Sequence, residues 1–129
     1  MPDLVVARGA LPAMSAAAID KVRLFEGRRS MLPQVPLHTD HVLHAGMYAR
    51  TIHVPAGVVI TGVLVKLATL LIVEGDATIY VGGDEPLHAT GYNVLPARAG
   101  RKQVFRANSD MWLTVIFPTE ARTVAEAER

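Results

Sequence analysis

Three histidines in the first half of the chain have a spacing that can serve metal binding. His38, His41 and His44 recur every third residue, so on a helix they would share one side and could hold Zn²⁺ with water in the fourth position. In a strand, His41 would instead point away from the other two. Pro36 before the group and Gly46 after it disfavour a helix here. The sequence therefore leaves a metal site open but favours a polar segment that enters a first strand.

A cluster of positive charge lies in the last third of the chain, on a predicted loop and the start of a strand. Its members are Arg98, Arg101, Lys102 and Arg106. They could neutralise a phosphate group or an acidic surface of a partner, or they could protect a sheet edge from unwanted pairing. The sequence leaves both roles open. Glu74, Asp76, Asp84 and Glu85 offer a complementary surface, so copies of the chain could associate head to tail.

Sequence motifs of common catalytic sites are not found in the chain. It has no cysteine, and it lacks a G-x-S-x-G elbow, a P-loop and a G-x-G-x-x-G loop. Ser15, Ser30 and Ser109 stand in no nucleophile motif. We therefore predict no catalytic, cofactor-binding or metal-ligating residue and no cofactor.

Charge and hydropathy exclude further classes of function. The 129 residues carry a net charge of +1, which argues against direct nucleic-acid binding because such binding needs a basic surface. No apolar run approaches the roughly 18–20 residues of a membrane span. The start of the chain also lacks the basic and apolar regions of a signal peptide. The length suits one domain.

Residues 1–37 are predicted to form an N-terminal arm with one short helix. Ser15 can cap that helix, Gly27 and the arginines after it suit its end, and prolines extend the connector that follows. We expect the apolar residues of the arm to bind a partner, because proline stiffening lowers the entropy lost on docking. These residues are Leu4, Val5, Val6, Ile19, Val22 and Phe25.

Residues 38–118 have the texture of short β-strands separated by glycine and proline. Apolar residues alternate from Tyr48 to Val54, and again from Met111 to Phe117, where they are predicted to fill an interior. The apolar run Leu70–Val73 is typical of a strand covered on both faces. Glu74-Gly75-Asp76 is predicted to be a turn, and a strand is expected to stop at Pro96. The pattern predicts an all-β antiparallel barrel, with residues 119–129 as a tail or short helix.

The turn markers of this region resemble those of one known family. They are Val54-Pro55-Ala56-Gly57, Val73-Glu74-Gly75, Val94-Leu95-Pro96 and Ala99-Gly100. Over residues 42–118 the chain resembles the cupins, a family of small jelly-roll barrels. Tyr48-Ala49-Arg50 and Trp112-Leu113-Thr114-Val115 are similar to short cupin-like proteins encoded by tailed phages. The resemblance implies a cupin-like jelly roll behind the N-terminal arm.

The resemblance also implies where a metal would sit, because metal-binding cupins use histidines and a carboxylate from two motifs. The first motif falls on Thr61 to Thr69, which contain no His, Asp or Glu. The second-motif histidine falls near Gln103. The residues expected at the first set of positions are Val63, Val65, Ala68 and Thr69. Because these side chains give a first-row metal no imidazole or carboxylate, we expect a dry barrel without the family's metal.

Three functions remain to be compared. The first is a non-catalytic structural or interaction protein, in its narrowest form a phage virion component such as a capsid decoration (cement) protein. Its partners would be further copies of the chain, a capsid protein or another virion protein, and its location the virion, or the cytoplasm if the chain is not phage-encoded. The second is a metal-dependent cupin enzyme that uses His38, His41 and His44. The third is a module that binds a small molecule at the barrel mouth.

Overall fold

The computed structural model describes residues 11–29, 37–61, 68–83, 85–100 and 102–128. Two helices and seven strands are defined in these ranges. The helices are α1 (Ala16–Arg29) and α2 (Val124–Ala127), and the strands are β1 (Thr39–His44), β2 (Met47–Val54), β3 (Val59–Thr61), β4 (Thr69–Tyr80), β5 (Leu87–Ala97), β6 (Val104–Ala107) and β7 (Met111–Pro118). Neither helix is long and apolar enough to cross a membrane.

All strand pairs are antiparallel, and the order across the sheet is β1-β2-β7-β4-β6-β3, with β5 on the remaining edge of β4. The long strand β4 organises this arrangement. Its first half, Leu70–Glu74, pairs with β7, and its second half, Ala77–Tyr80, pairs with β6. Because β7 and β6 take different halves of one edge, the sheet curls into a half-barrel. The predicted fold class, an antiparallel jelly roll preceded by a short helix, is confirmed.

The predicted turn at Glu74-Gly75-Asp76 is wrong, because β4 continues through these residues and pairs with β5 along its whole length. Gly75 has a φ of +124°, and a Cβ atom on it would lie 2.6 Å from the carbonyl oxygen of Asp110. The glycine is therefore needed for a close approach of two backbones rather than for a turn. The predicted stop at Pro96 is wrong by one residue, since β5 ends at Ala97.

The inner face of the half-barrel is apolar. Side chains alternate across a strand, and in β4 the inward residues Leu71, Val73, Ala77 and Ile79 are all at most 2% exposed. The other strands contribute Val54, Phe105, Ala107, Met111 and Leu113 to the same core. The prediction for β7 is confirmed for Met111 and Leu113, while Val115 packs at the margin of this core.

Helix α1 begins where the sequence indicates, since the backbone N–H of Ala18 donates to the hydroxyl of Ser15 at 3.1 Å. Met14, Ala18 and Val22 pack against Tyr80 and Val104. Because Val22 is only 1% exposed, the expectation that it binds a partner is corrected: its partner is the barrel of its own chain. The remaining residues of the expected set are Ile19, which lies beside this cluster, Phe25, which is 39% exposed, and Leu4, Val5 and Val6, which lie outside the described residues.

The chain just before α1 is also bound to the barrel. Leu11 forms an isolated bridge with Ala97, with its N–H donating to the carbonyl of Pro96 and its carbonyl accepting from the N–H of Arg98. Its side chain is fully buried in the main core. Residues 11–29 of the predicted arm therefore pack on the barrel of their own chain, whereas the sequence analysis expected the arm to bind a partner.

Candidate functional site: barrel interior and outer sheet face

The three spaced histidines do not converge. Since Thr39–His44 form strand β1, His41 points to the opposite side from its neighbours. His38 lies in the exposed surface with its Nε2 3.1 Å from Asp40 Oδ1. His41 Nδ1 instead lies 2.6 Å from the hydroxyl of Tyr48. In the part of the chain that the structure describes, no three His, Cys, Asp or Glu side chains are grouped closely enough to hold a metal ion.

His41 belongs to a polar cluster at the end of the inner face. The hydroxyl of Tyr48 bonds to it, and its Nδ1 lies 3.5 Å from Oε1 of Glu128, which follows helix α2. Burial of Tyr48, together with the negative charge of Glu128, raises the pKa of the tyrosine hydroxyl. Thr123 caps α2 by accepting from the N–H of Glu126. The cluster fastens the C-terminal segment to the barrel.

The positions that the cupin resemblance assigns to a metal do not fit one. Val63 and Val65 lie outside the described residues, and neither side chain has a donor atom. Ala68 and Thr69 stand at the start of β4, and Gln103 is 4% exposed before β6. An amide and a hydroxyl are weak ligands for a first-row metal, which binds imidazole and carboxylate groups. The residues present therefore do not form the usual metal centre of the fold.

The cluster of cations is split by the structure. Lys102 is buried with a side chain 7% exposed, and its Nζ lies 2.9 Å from Oε1 of Glu26 on α1. The other oxygen of Glu26 accepts from the hydroxyl of Thr61 at 2.8 Å. The bond from Lys102 lowers the pKa of Glu26. Lys102 is thus a wrong prediction for a surface contact, because its charge holds α1 to the barrel.

The other cations of the cluster have different surroundings. Arg98 follows β5 and Arg106 lies in β6, and both are exposed, whereas Arg101 lies outside the described residues. Electrostatic contact with a partner stays a prediction for Arg98 and Arg106.

A broad apolar surface, which the sequence analysis missed, covers the outer side of five neighbouring strands. We call it the bare face: the outward residues of β1, β2, β7, β5 and the first half of β4. Six large apolar side chains on it are between 38% and 64% exposed: Val42, Met47, Leu70, Tyr92, Val94 and Trp112. Ile72, Ala49 and Ile116 lie between them in the strand register. Thr51, Thr114 and Glu74 are polar residues on the same face, and exposed apolar side chains grouped on one face are typical of interaction surfaces.

One end of the bare face is hollowed into an open groove of about 490 Å³. Its lining is mostly apolar, with Leu70, Ile116 and Pro118 among others, and it includes Arg98. At the other end, the ring of His53 stacks on Trp112 with 4.8 Å between ring centroids. Residues of neighbouring strands thus line the groove together at one end of the face and stack on each other at the other end.

A signal for the bare face was present in the sequence. Leu70–Val73 is apolar at every position, so its outward members need a cover as much as its inward ones. The structure covers the inward members, and in the described residues Leu70 remains 38% exposed. The uninterrupted run correctly indicated two apolar faces, but the part of the chain that the structure describes buries only one of them.

Comparison with known proteins identifies the fold. No family model and no curated protein matches the sequence. Solved structures do match: a cupin superfamily protein from Desulfitobacterium hafniense has a TM-score of 0.55 and 14% identity, over 70% of this chain and 86% of that one. An RmlC-like cupin with a double-stranded β-helix from Methanocaldococcus jannaschii has a TM-score of 0.54 and 14% identity, over 65% and 81% of the two chains.

A third similar structure is ectoine synthase from P. lautus, with a TM-score of 0.57 and 21% identity, over 75% of this chain and 73% of that one. At these identities the likeness concerns the fold and leaves the chemistry open. The half-barrel, its strand order and these neighbours together show that this chain has the double-stranded β-helix fold of the cupins.

Proposed function

We propose that this protein is a non-catalytic interaction protein that uses the cupin fold as a rigid support for a protein-binding surface. The observation that carries this proposal is the bare face, where six large apolar side chains are exposed on one side of the sheet. Maintaining such a surface in water is unfavourable, and surfaces of this kind are used to bind proteins. The apolar inner face, filled by side chains of the chain itself, supports the same function.

The narrower form of the proposal is a virion component, such as a capsid decoration (cement) protein, located in the virion. It is supported by the similarity of Tyr48-Ala49-Arg50 and Trp112-Leu113-Thr114-Val115 to short cupin-like proteins encoded by tailed phages. A decoration protein needs a stable fold and a surface for neighbouring subunits, and it needs no catalytic group. In this form the partners are copies of the chain and a capsid protein.

The competing function is a metal-dependent cupin enzyme. Ectoine synthase shows that a protein with this fold can be an enzyme. Two observations argue against that function: His41 and His44 point to opposite sides of β1, which His38 precedes, and the ligand positions carry no imidazole or carboxylate.

The test compares the two functions on the purified full-length chain. We expect elemental analysis to find substoichiometric metal, and we expect the chain to co-sediment with assembled capsids of the phage that encodes it. The triple variant Leu4→Ser, Val5→Ser, Val6→Ser should reduce that co-sedimentation if the arm reaches the capsid, with Leu24→Ser as the control outside the expected set. Stoichiometric metal that is lost on changing His41 to Ala would overturn the proposal in favour of the enzyme.

A further inference from the structure

We propose that the bare face binds a positively charged side chain, a lysine or an arginine of the partner protein, in a slot between Trp112 and Tyr92. This inference rests on the proposed function and deepens it by naming the chemistry that the partner must present. One row of side chains across four strands carries it. In that row His53 lies opposite Trp112. Trp112 lies opposite Glu74, whose other neighbour is Tyr92. We call the space bounded by Trp112, Glu74 and Tyr92 the cation slot.

Trp112 forms one wall of the cation slot. Its ring stacks on that of His53, with the centroids 4.8 Å apart and the planes 18° apart. Because neighbouring strands are also about 4.8 Å apart, rings that stack across them stand upright on the sheet. One face of the Trp112 ring is therefore covered by His53, and the opposite face is turned towards Glu74 on β4. Trp112 is 42% exposed, so a ligand can reach that second face.

Tyr92 forms the other wall of the cation slot. It is 64% exposed and lies two strands away from Trp112, so the Cα atoms of the two residues are about 10 Å apart. A cation midway between the two side chains lies about 5 Å from each. That distance is within the roughly 6 Å at which the face of an aromatic ring attracts a cation. The spacing of the walls therefore suits an ammonium or guanidinium group.

Glu74 lies between the two walls and supplies the negative charge. It is exposed, and among the residues that the structure describes its carboxylate has no hydrogen bond or ion pair. A partner that covered this face with apolar groups alone would bury an unpaired carboxylate, which is strongly unfavourable. A lysine or arginine of the partner removes that cost by pairing with Glu74. The charge of the face therefore selects a basic side chain over an apolar one.

The surroundings of the cation slot leave its negative charge in place. Asp110 adds a second carboxylate behind Trp112, with its Oδ2 3.8 Å from Nε2 of His53. Arg106 lies opposite Thr78, four residues or about 13 Å along β4 from Glu74. Arg98 follows Ala97, the partner of Thr69, and so lies about 20 Å away in the same strand direction. Both distances exceed the Debye length of about 8–10 Å at moderate salt, so neither arginine neutralises Glu74.

The test measures the binding of N-acetyl-arginine amide to the purified full-length chain through the fluorescence of Trp112, its single tryptophan. N-acetyl-citrulline amide is the matched probe, because it has nearly the same shape without the charge. At constant ionic strength, we expect a saturable change of Trp112 emission at millimolar concentrations of the arginine amide. The citrulline amide should bind about fivefold more weakly or less, because it gains neither the ion pair nor the cation–π attraction.

Four variants assign the binding to the cation slot. Glu74→Gln removes the charge and keeps the shape, so it should weaken binding of the arginine amide by about fivefold. Tyr92→Leu removes one ring but keeps an apolar side chain, and it should weaken binding by about threefold, whereas Tyr92→Phe should bind like the original chain. Glu120→Gln is the control and should bind unchanged, since this exposed carboxylate follows the opposite end of β7. Circular dichroism checks that each variant is folded.

The outcomes separate this inference from the proposed function. Equal binding of the two amides, or equal binding of the arginine amide by Glu74→Gln and the original chain, overturns the cation slot. A chain that co-sediments with capsids but does not bind the arginine amide overturns this inference and leaves the proposed function intact. A chain that binds the arginine amide as expected but does not co-sediment with capsids retains the cation slot and overturns the capsid as its partner.

Discussion

Two regions of the outer sheet surface carry apolar side chains, and helix α1 covers only one of them. Where β4 pairs with β6, the outward Tyr80 and Val104 are covered by helix α1. Where β4 pairs with β7 and β5, the outward Leu70 and Val94 are left at 38% and 47% exposure. The outward side of the same strand is therefore covered by helix α1 in one half and exposed in the other. The residue types make both regions apolar. The bare face is exposed because α1 packs against Tyr80 and Val104 instead of against Leu70 and Val94.

The position of α1 is fixed by specific contacts at several points of the helix. Near its start, Ala18 approaches Gly82 so closely that a Cβ atom there would lie 3.1 Å from the Ala18 methyl group. In its middle, Lys21 Nζ lies 5.7 Å from the centre of the Tyr80 ring. Towards its end, Glu26 binds Lys102 and Thr61. These contacts hold the helix over β6 and away from the bare face.

The largest loss of stability should come from disrupting the contact between α1 and the sheet at its centre. Val22→Asp places a carboxylate where the side chain is 1% exposed against Tyr80 and Val104. We expect a loss of about 3 kcal/mol or more in the free energy of unfolding, because a buried charge without a partner is strongly unfavourable. Urea denaturation followed by circular dichroism measures it. Leu24→Asp, two residues along the helix and 59% exposed, should change stability little; equal losses for both variants would refute the docked helix.

The next effect concerns β4, which joins the two regions. Gly75→Ala should cost about 2 kcal/mol or more, because φ is +124° and the new Cβ would press on the Asp110 carbonyl. Thermal unfolding measures the loss. Gly27→Ala is the matched control: nothing lies within 4 Å of its Cβ, and alanine in a helix should stabilise by roughly 0.5–1 kcal/mol. A neutral Gly75→Ala would show that β4 tolerates a shift at this point.

A smaller effect is expected at the ion pair between α1 and the barrel. The bond from Lys102 lowers the pKa of Glu26 in the folded chain, so this interaction stabilises the fold above the unfolded carboxyl pKa and is lost as pH falls through the lower folded value. Glu26→Gln should cost about 1–2 kcal/mol at neutral pH, less than a fully buried pair because the Glu26 side chain is 42% exposed.

The measurement is a series of urea denaturations from neutral pH down to pH 3. The difference between the original chain and Glu26→Gln should shrink as the pH falls through the acid range. Asp20→Asn is the control, because Asp20 is an exposed carboxylate of the same helix, 3.8 Å from Arg23. A difference that stays constant with pH would assign the effect of Glu26→Gln to packing.

The smallest effect on folding is expected on the bare face. Val94→Ser and Leu70→Ser should each change the unfolding free energy of the monomer by less than about 0.5 kcal/mol, since their side chains are already well exposed. Urea denaturation at low protein concentration measures it. The same substitution at a buried position, Leu71→Ser, should be strongly destabilising. A large loss for Val94→Ser in the monomer would mean that the bare face contributes to the fold itself.

Local patterns in the sequence predicted much of the fold. The alternation from Tyr48 to Val54 became β2, and Ser15 capped the helix as expected. Interactions between close neighbours in the chain dictate such elements, so their signals are local. The glycine at position 75 shows that a local pattern alone can be ambiguous. A turn and a close backbone approach both call for glycine, and only the position of Asp110 decided between them.

The candidate site was predicted less well, because burial depends on residues distant in the chain. Lys102 stood among cations in the sequence, and nothing nearby indicated that Glu26 on α1 would enclose it. Val22 and Phe25 both belonged to the apolar side expected of the helix, yet one is buried on the barrel and the other is 39% exposed. Their apolar spacing identified a contact face but could not identify its partner.

The sequence by itself determined the chemistry that is available: no imidazole or carboxylate from Thr61 to Thr69, and two apolar faces in Leu70–Val73. Composition and alternation are properties of the chain and hold in any arrangement of its strands. Only the tertiary structure decided which of those faces is covered. The strands around β4 bury its inner face in the core, and the outer face stays exposed at Leu70 because α1 docks beside Tyr80 instead. That outcome follows from long-range pairing, in which one helix can cover only part of a curled sheet.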